Sequence, residues 1–263
     1  MANGSGFSDP SVNITFTKFL FIVSPLDDEA ARTHVRTAGG LIARGFFNDF
    51  DADGSRDPQS RETIQFLLGG PSRHGSGIAG ARYAVHLSAN YRPRLQEVEL
   101  ELRRRLGGSA TVTALDGVIR APRYTSAELY RFAYKQAMAR MSGRQAPNAI
   151  ILPLSKSDEW WEKPPIDRHA YFYPQRDAGG CPVKGHAMAA EAGVATIFRR
   201  LYHNPDGYQR ADEFDFITYF ECADEHLATF DQICRALRDV RQNPEWRFVT
   251  EGPEWRGKRV IRW

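Results

Sequence analysis

The sequence predicts an α+β fold in which two ferredoxin-like halves form one α+β barrel. Two observations carry this. The element order β-α-β-β-α-β reads twice along the chain, and the apolar residues change from strand spacing to helical spacing at matching points of the two passes. The size agrees, because 263 residues with 42% hydrophobic and 12% aromatic side chains can bury a large core.

Taken in order, Ile14 to Val23 is a β-rich stretch of loose alternation and reads as a strand. Pro25 with Asp27, Asp28 and Glu29 starts a helix, its acids placed where the helix dipole favours them, and Gly39 and Gly40 end it. Thr63 to Leu68 and Ala81 to Leu87 are two further strands about the Gly69 to Gly80 turn region. Leu95, Val98, Leu102 and Leu106 keep helical spacing, and Thr111 to Ile119 returns to strand. A helix around Ala127 to Met141 connects the halves. The second pass has a strand at Asn148 to Leu154, a helix at Ala187 to Ala195, and strands at Thr196 to Tyr202 and Asp215 to Glu221. Its last helix is strongly amphipathic, through Leu227, Phe230, Ile233, Cys234, Leu237 and Val240, and strand-like stretches at Trp246 to Val249 and Arg259 to Trp263 close the chain. The expected division is an N-terminal half over 1–125, a connecting helix over 126–147 and a C-terminal half over 148–263.

Composition removes several functions. Lys and Arg number 35 against 32 Asp and Glu, and a net charge of +3 on so long a chain is not the basic face that nucleic acid needs. The longest apolar run, Phe19 to Val23, is far short of the roughly 20 residues that cross a bilayer. Met1 to Pro10 has neither the basic nor the apolar region of an export signal, so a cytoplasmic location is expected. Cys181, Cys222 and Cys234 are odd in number and lack CxxC spacing, which reads as ordinary buried or loop thiols.

Among the seven histidines, His34, His74, His169 and His226 sit in polar surroundings, and His86, between Val85 and Leu87, is expected on an outer strand face. His186 differs because it opens a small apolar helix, Ala187-Met188-Ala189-Ala190, directly after a loop; a capping or core histidine is the alternative to a ligand. In the strand Thr196 to Tyr202, Arg199 shares a face with Ile197 and Leu201 while Arg200 shares one with Phe198 and Tyr202, so whichever face is buried carries a guanidinium. Burial of that charge needs an anion, a core carboxylate or a route to the sheet edge. Trp160 and Trp161, adjacent on a segment read as extended, point to opposite sides, one toward a pocket and one toward an anchor, with purely structural roles as the alternative. Asp51-Ala52-Asp53-Gly54 lacks the further positions of a calcium loop and reads as a turn.

Lys156-Ser-Asp-Glu-Trp160-Trp161, His186 seventeen residues before His203, the run Phe198-Arg199-Arg200-Leu201-Tyr202-His203 and the strand Phe216-Ile217-Thr218-Tyr219-Phe220-Glu221 together resemble the haem-binding half of the chlorite dismutases. Gly117-Val118-Ile119 with Arg123-Tyr124 looks like the connecting segment of that family, whose polar side chains reach the haem propionates. The resemblance covers about residues 110 to 263 by motif and the first hundred by the repeated fold alone.

It implies a haem b cofactor whose iron takes His186 as proximal ligand, with Arg199 as the distal catalytic arginine. Trp160 would pack on the haem, Trp161 would face a subunit contact, Lys156 would join the proximal hydrogen-bond network, and Thr218 and Phe220 would line the distal pocket. The implied reaction converts chlorite, a small anionic substrate, to chloride and dioxygen, with Arg199 retaining the chlorine oxyanion, in a homo-oligomer that the family makes a pentamer. Gln242 is expected where the family places the glutamate that accepts the proximal hydrogen bond, and the stretch Asp167 to Lys184 is longer than the family leads one to expect. Other classes on this fold are a coproheme decarboxylase, a peroxidase-like or biosynthetic haem enzyme, and a haem sensor or carrier. Arg199 favours chlorite or another small oxygen- or nitrogen-bearing anion over the decarboxylase.

Overall fold

The computed structural model describes residues 15–24, 29–51, 62–70, 75–120, 137–176 and 179–263. The first pass runs β1 (Phe16–Val23), α1 (Glu29–Ile42), β2 (Phe47–Asn48), β3 (Thr63–Gly69), α2 (Gly77–Gly80), β4 (Tyr83–Ala89), α3 (Arg92–Leu106) and β5 (Thr111–Val118). The second runs β6 (Asn148–Lys156), α4 (Asp158–Glu162), α5 (Pro165–Ala170), β7 (Gln175–Arg176), β8 (Pro182–Val183), α6 (Gly185–Ala190), β9 (Ile197–His203), β10 (Phe216–Cys222), α7 (Leu227–Arg238), β11 (Val249–Glu251) and β12 (Trp255–Val260).

Eight strands close in the order β10-β9-β5-β1-β4-β3-β12-β6, with β6 pairing back onto β10 from Phe216↔Leu154 to Cys222↔Asn148. Closure satisfies the strand edges that an open sheet would leave to solvent. Three apolar clusters follow from strand alternation. Phe19 and Phe21 of β1 point into the barrel with Ile151, Phe198, Tyr202, Tyr219 and Trp255. Leu20 and Ile22 point outward beneath α1 and α3, against Val35, Ala38, Val98 and Leu102. This double burial explains why the alternation along β1 is only loose. On the other half, Ile150, Ile197 and Cys222 face outward beneath α6 and α7, against Ala189, Phe230, Ile233 and Leu237.

Four expectations change, besides the end of α1, which runs through Gly39 and Gly40 to Ile42. His86 is 3% exposed and lies inside the barrel, not on its outer face, because β4 is buried along its whole length. Its ring stacks on Phe19 at 4.3 Å; Nδ1 lies 3.0 Å from Gln65 Oε1 and Nε2 lies 2.9 Å from Thr17 Oγ1. Burial, then the nearby Arg140, Arg259 and Arg200 charges, hold its pKa well below the usual histidine value. Second, residues 137–147 are turns and irregular backbone, without the connecting helix predicted there, and 121–136 lie outside the described residues. Third, Pro244–Phe248 forms a 3-10 turn instead of a strand, since Asn243 followed by Pro244 supplies a helical start. Fourth, the last strand ends at Val260, and Trp263 packs edge-on against Phe66 and Tyr83 while its Nε1 donates to the Leu67 carbonyl at 2.9 Å.

The barrel also buries ions. Glu221, fully buried, receives Arg140 at 2.6 Å, Arg259 at 2.9 Å and the Tyr219 hydroxyl at 2.6 Å. Two guanidiniums and a phenol offset the cost of desolvating this carboxylate. The cluster ties β10 and β12 to the 137–147 segment.

Candidate functional site

The histidine singled out by sequence is held from three directions. Gly185, at φ 68°, turns the chain into α6, and a Cβ there would collide with the Tyr173 carbonyl oxygen. The backbone N–H groups of His186 and Ala187 donate to the carbonyls of Tyr171 and Phe172 at 3.1 and 3.0 Å, while those of Lys184 and Gly185 donate to the Gln242 carbonyl at 2.9 and 3.0 Å. The long Asp167 to Lys184 stretch, which takes in the end of α5 and the antiparallel β7–β8 pair, thus braces the start of α6.

The side chain is fixed as well. His186 Nδ1 lies 3.0 Å from Glu245 Oε2, and the other oxygen of Glu245 lies 2.6 Å from Lys156 Nζ. Burial pushes the Glu245 carboxyl up, but the Lys156 ammonium and the His186 ring outweigh it and hold the group well below the usual carboxylate range. The acceptor therefore stays ionised, and Nε2 takes no hydrogen bond among the described residues. The predicted acceptor, Gln242, is corrected to Glu245. The 3-10 turn brings Glu245 to the imidazole, while Gln242 serves through its backbone carbonyl. Reading residues 246–249 as a strand hid this; Asn243-Pro244 was the signal for a helical turn that presents Glu245.

Lys156 ends β6, and its Nζ also sits 4.1 Å from the centre of the Trp160 ring. The tryptophan pair lies on α4, not on an extended segment, so the two side chains diverge by a helical step. Asp158 and Glu159 in its first turn favour the helix start there. Trp160 is buried against Tyr171 and Phe248. Trp161 stacks on Tyr208 at 4.4 Å and on Phe216 at 6.0 Å, and its Nε1 donates to Asp215 Oδ2 at 3.3 Å. Asp215, which sequence reasoning missed, accepts the Lys156 backbone N–H through the same oxygen at 2.8 Å.

Arg199, Thr218 and Phe220 all lie on the outward face of the barrel. Register sets Phe220 opposite Arg199 and Thr218 opposite Leu201. Helices α6 and α7 cover the Ile197 and Cys222 end of this face, and Trp161 covers the Phe216 end. Arg199 is exposed although it shares a face with the buried Ile197. The guanidinium that turns inward is Arg200, half-buried over Phe198. Arg123 and Tyr124 lie outside the described residues. The structure thus joins His186, Lys156 and Trp160 in one contact network and sets Arg199, Thr218 and Phe220 together on the adjacent face.

No protein-family model matches the chain. Solved structures share its fold. A mutant chlorite dismutase from Candidatus Nitrospira defluvii aligns with a TM-score of 0.65 at 22% identity, covering 94% of this chain and 91% of that one. The same enzyme in complex with imidazole gives 0.64 at 23%, covering 94% and 91%. A mutant in complex with cyanide gives 0.63 at 21%, covering 94% and 90%. The barrel described above is therefore the chlorite dismutase fold.

Proposed function

From a chain with the chlorite dismutase fold, we propose a haem-dependent oxidoreductase that binds haem b through His186 and turns over a small oxyanion, with chlorite as the first candidate. The observation that carries this reading is the Lys156–Glu245–His186 relay. It fixes Nδ1 of one imidazole against an ionised carboxylate and leaves Nε2 for a ligand. That is the arrangement in which a carboxylate raises the basicity of a metal-bound histidine. Among the described residues no group of three or more His, Cys, Asp or Glu side chains could hold a bare ion. A single histidine donor therefore fits an iron whose remaining ligands come from a macrocycle.

Bound haem would supply the redox chemistry that breaks a chlorine–oxygen bond. The protein residues divide the other tasks. Lys156 holds Glu245, and Glu245 orients His186 and keeps its Nδ1 proton engaged. Trp160 packs beside the lysine and shields this pair from water. Arg199 offers a permanent cation on the open face, suited to holding an anion against escape. Thr218 and Phe220 form the floor beside it, and Arg123 and Tyr124 remain candidates for the propionates. Trp161 and a homo-oligomer, pentameric by the resemblance, belong to the same proposal.

The test is a haem-replete preparation on an oxygen electrode. Dioxygen should appear on adding chlorite and should fall sharply in Arg199→Ala, while His186→Ala should lose the Soret band. Failure to take up haem overturns the ligand assignment. A stable Soret band without dioxygen overturns chlorite as substrate.

A further inference from the structure

Trp161, Tyr208 and His203 form a contact series that the relay behind His186 does not use. The indole of Trp161 and the phenol of Tyr208 lie face to face, 4.4 Å apart and within 14° of parallel. The Tyr208 oxygen is 2.8 Å from Nδ1 of His203, the last residue of β9. The loop carrying Tyr208 is held in place. Asn204 Oδ1 accepts the Asp206 N–H at 2.9 Å and Asp215 Oδ1 accepts the Gln209 N–H at 2.7 Å. Gly207 at φ 111° and Gln209 at φ 58° turn the chain on either side of the tyrosine. Asp215 thus fixes Trp161 with one oxygen and the Tyr208 loop with the other. Trp161 also stacks on Phe216, two residues from Thr218 on the outward face of β10, so the series begins at the edge of the candidate site.

A phenol becomes a strong acid when it loses an electron, and a neutral imidazole nitrogen at hydrogen-bond distance is a competent proton acceptor. Stacked aromatic rings in contact also pass an electron readily. We propose that Tyr208 is a redox-active tyrosine, with His203 as its proton acceptor and Trp161 as its link to the site, draining oxidising equivalents from that site. This rests on the haem reading above for the source of oxidant, a hydroperoxide reduced at the haem. In the step, the O–O bond of the hydroperoxide breaks as it takes two protons and two electrons, giving one water and an alcohol, or two waters from hydrogen peroxide. One electron comes from the haem and the other from Trp161, which leaves the indole radical cation. Tyr208 returns an electron to the indole while its O–H bond breaks. The proton goes to His203 Nδ1, giving an imidazolium beside a neutral tyrosyl radical.

Two oxidants test this in the full-length chain. Photogenerated ruthenium(III) tris-bipyridine acts without haem and should produce a neutral tyrosyl radical, read by transient absorption and electron paramagnetic resonance. Tyr208→Phe should remove the long-lived signal. His203→Gln, whose amide accepts a hydrogen bond but not a proton, should reduce the yield and abolish the solvent deuterium effect on radical formation. An unchanged signal in Tyr208→Phe overturns the assignment of the radical, and an unchanged yield and isotope effect in His203→Gln overturn the proton acceptor. In the haem-replete protein, hydrogen peroxide should produce the same radical, lost in Trp161→Phe although the ruthenium-driven signal persists. A peroxide-driven radical that survives Trp161→Phe overturns the link. Failure of the chain to take up haem overturns the earlier reading and the peroxide source, while the ruthenium experiment still decides the Tyr208–His203 pair.

Discussion

Glu245 reaches His186 with one carboxylate oxygen, 3.0 Å from Nδ1, and Lys156 with the other, at 2.6 Å. Each side chain depends on the middle one. Glu245→Gln keeps the shape but removes the charge that, on the proposed haem reading, would make the imidazole a stronger donor to iron. The expected result is a loss of about 10- to 100-fold in haem affinity or turnover, together with a higher ferric/ferrous potential. Haem transfer to an apoglobin and spectroelectrochemistry measure the two. Unchanged values for both would remove Glu245 from the proximal role.

Acid should act in two separate windows. The folded-state pKa of His86 is depressed, so its neutral form is native and the unfolded chain takes up the proton first. Stability from this group is present above the usual histidine value of 6.5 and is lost as pH falls below it, by about 1.4 kcal/mol per unit until the folded pKa is reached. Glu245 is also depressed in the fold, so its contribution is present above the usual glutamate value of 4.5 and fades only as pH falls further. Urea unfolding at pH 7, 6 and 5 should therefore show a slope that His86→Phe flattens and Glu245→Gln leaves alone. A slope that persists in His86→Phe would assign the proton to another group.

Glu221 is the second buried anion, and its loss should be felt by the barrel as a whole. Glu221→Ala leaves Arg140 and Arg259 without the carboxylate they share, and breaking a buried pair of this kind costs about 3–5 kcal/mol. Glu221→Gln should cost less, since the amide oxygen still accepts the Tyr219 hydroxyl. Denaturant midpoints rank the two variants, and equal midpoints for wild type and Glu221→Ala would contradict the role of the ion cluster.

How far sequence reached depends on the kind of interaction. Strand and helix order was legible because α3 and α7 keep the helical period, as Leu95, Val98, Leu102 and Leu106 show for α3. The placement of His86 was not, because a histidine between Val85 and Leu87 looks alike on either face until closure buries both. His186 and Lys156 were found through linear motifs. Glu245 was missed because its role comes from a three-residue shift in one turn, and Asp215 because its partners Lys156, Trp161 and Gln209 are distant or backbone groups. Arg199 and Arg200 show the same limit: alternation separates the faces but does not say which position along a face is exposed.

Gly185 offers a test of the site that leaves every polar side chain in place. Its φ of 68° is costly for a residue with a Cβ, by roughly 1–2 kcal/mol, and an alanine methyl would also press on the Tyr173 carbonyl. Relief requires either the 171–173 turn or the start of α6 to move. Both carry the backbone hydrogen bonds that aim His186, through Tyr171 and Phe172 on one side and Gln242 on the other. Gly185→Ala should therefore lose haem faster than its stability loss alone explains, with the His186 ring drawn away from Glu245. Comparing haem off-rate with the urea midpoint separates these effects: a fall in stability with an unchanged off-rate would show that the turn and the proposed haem contact of His186 are not coupled.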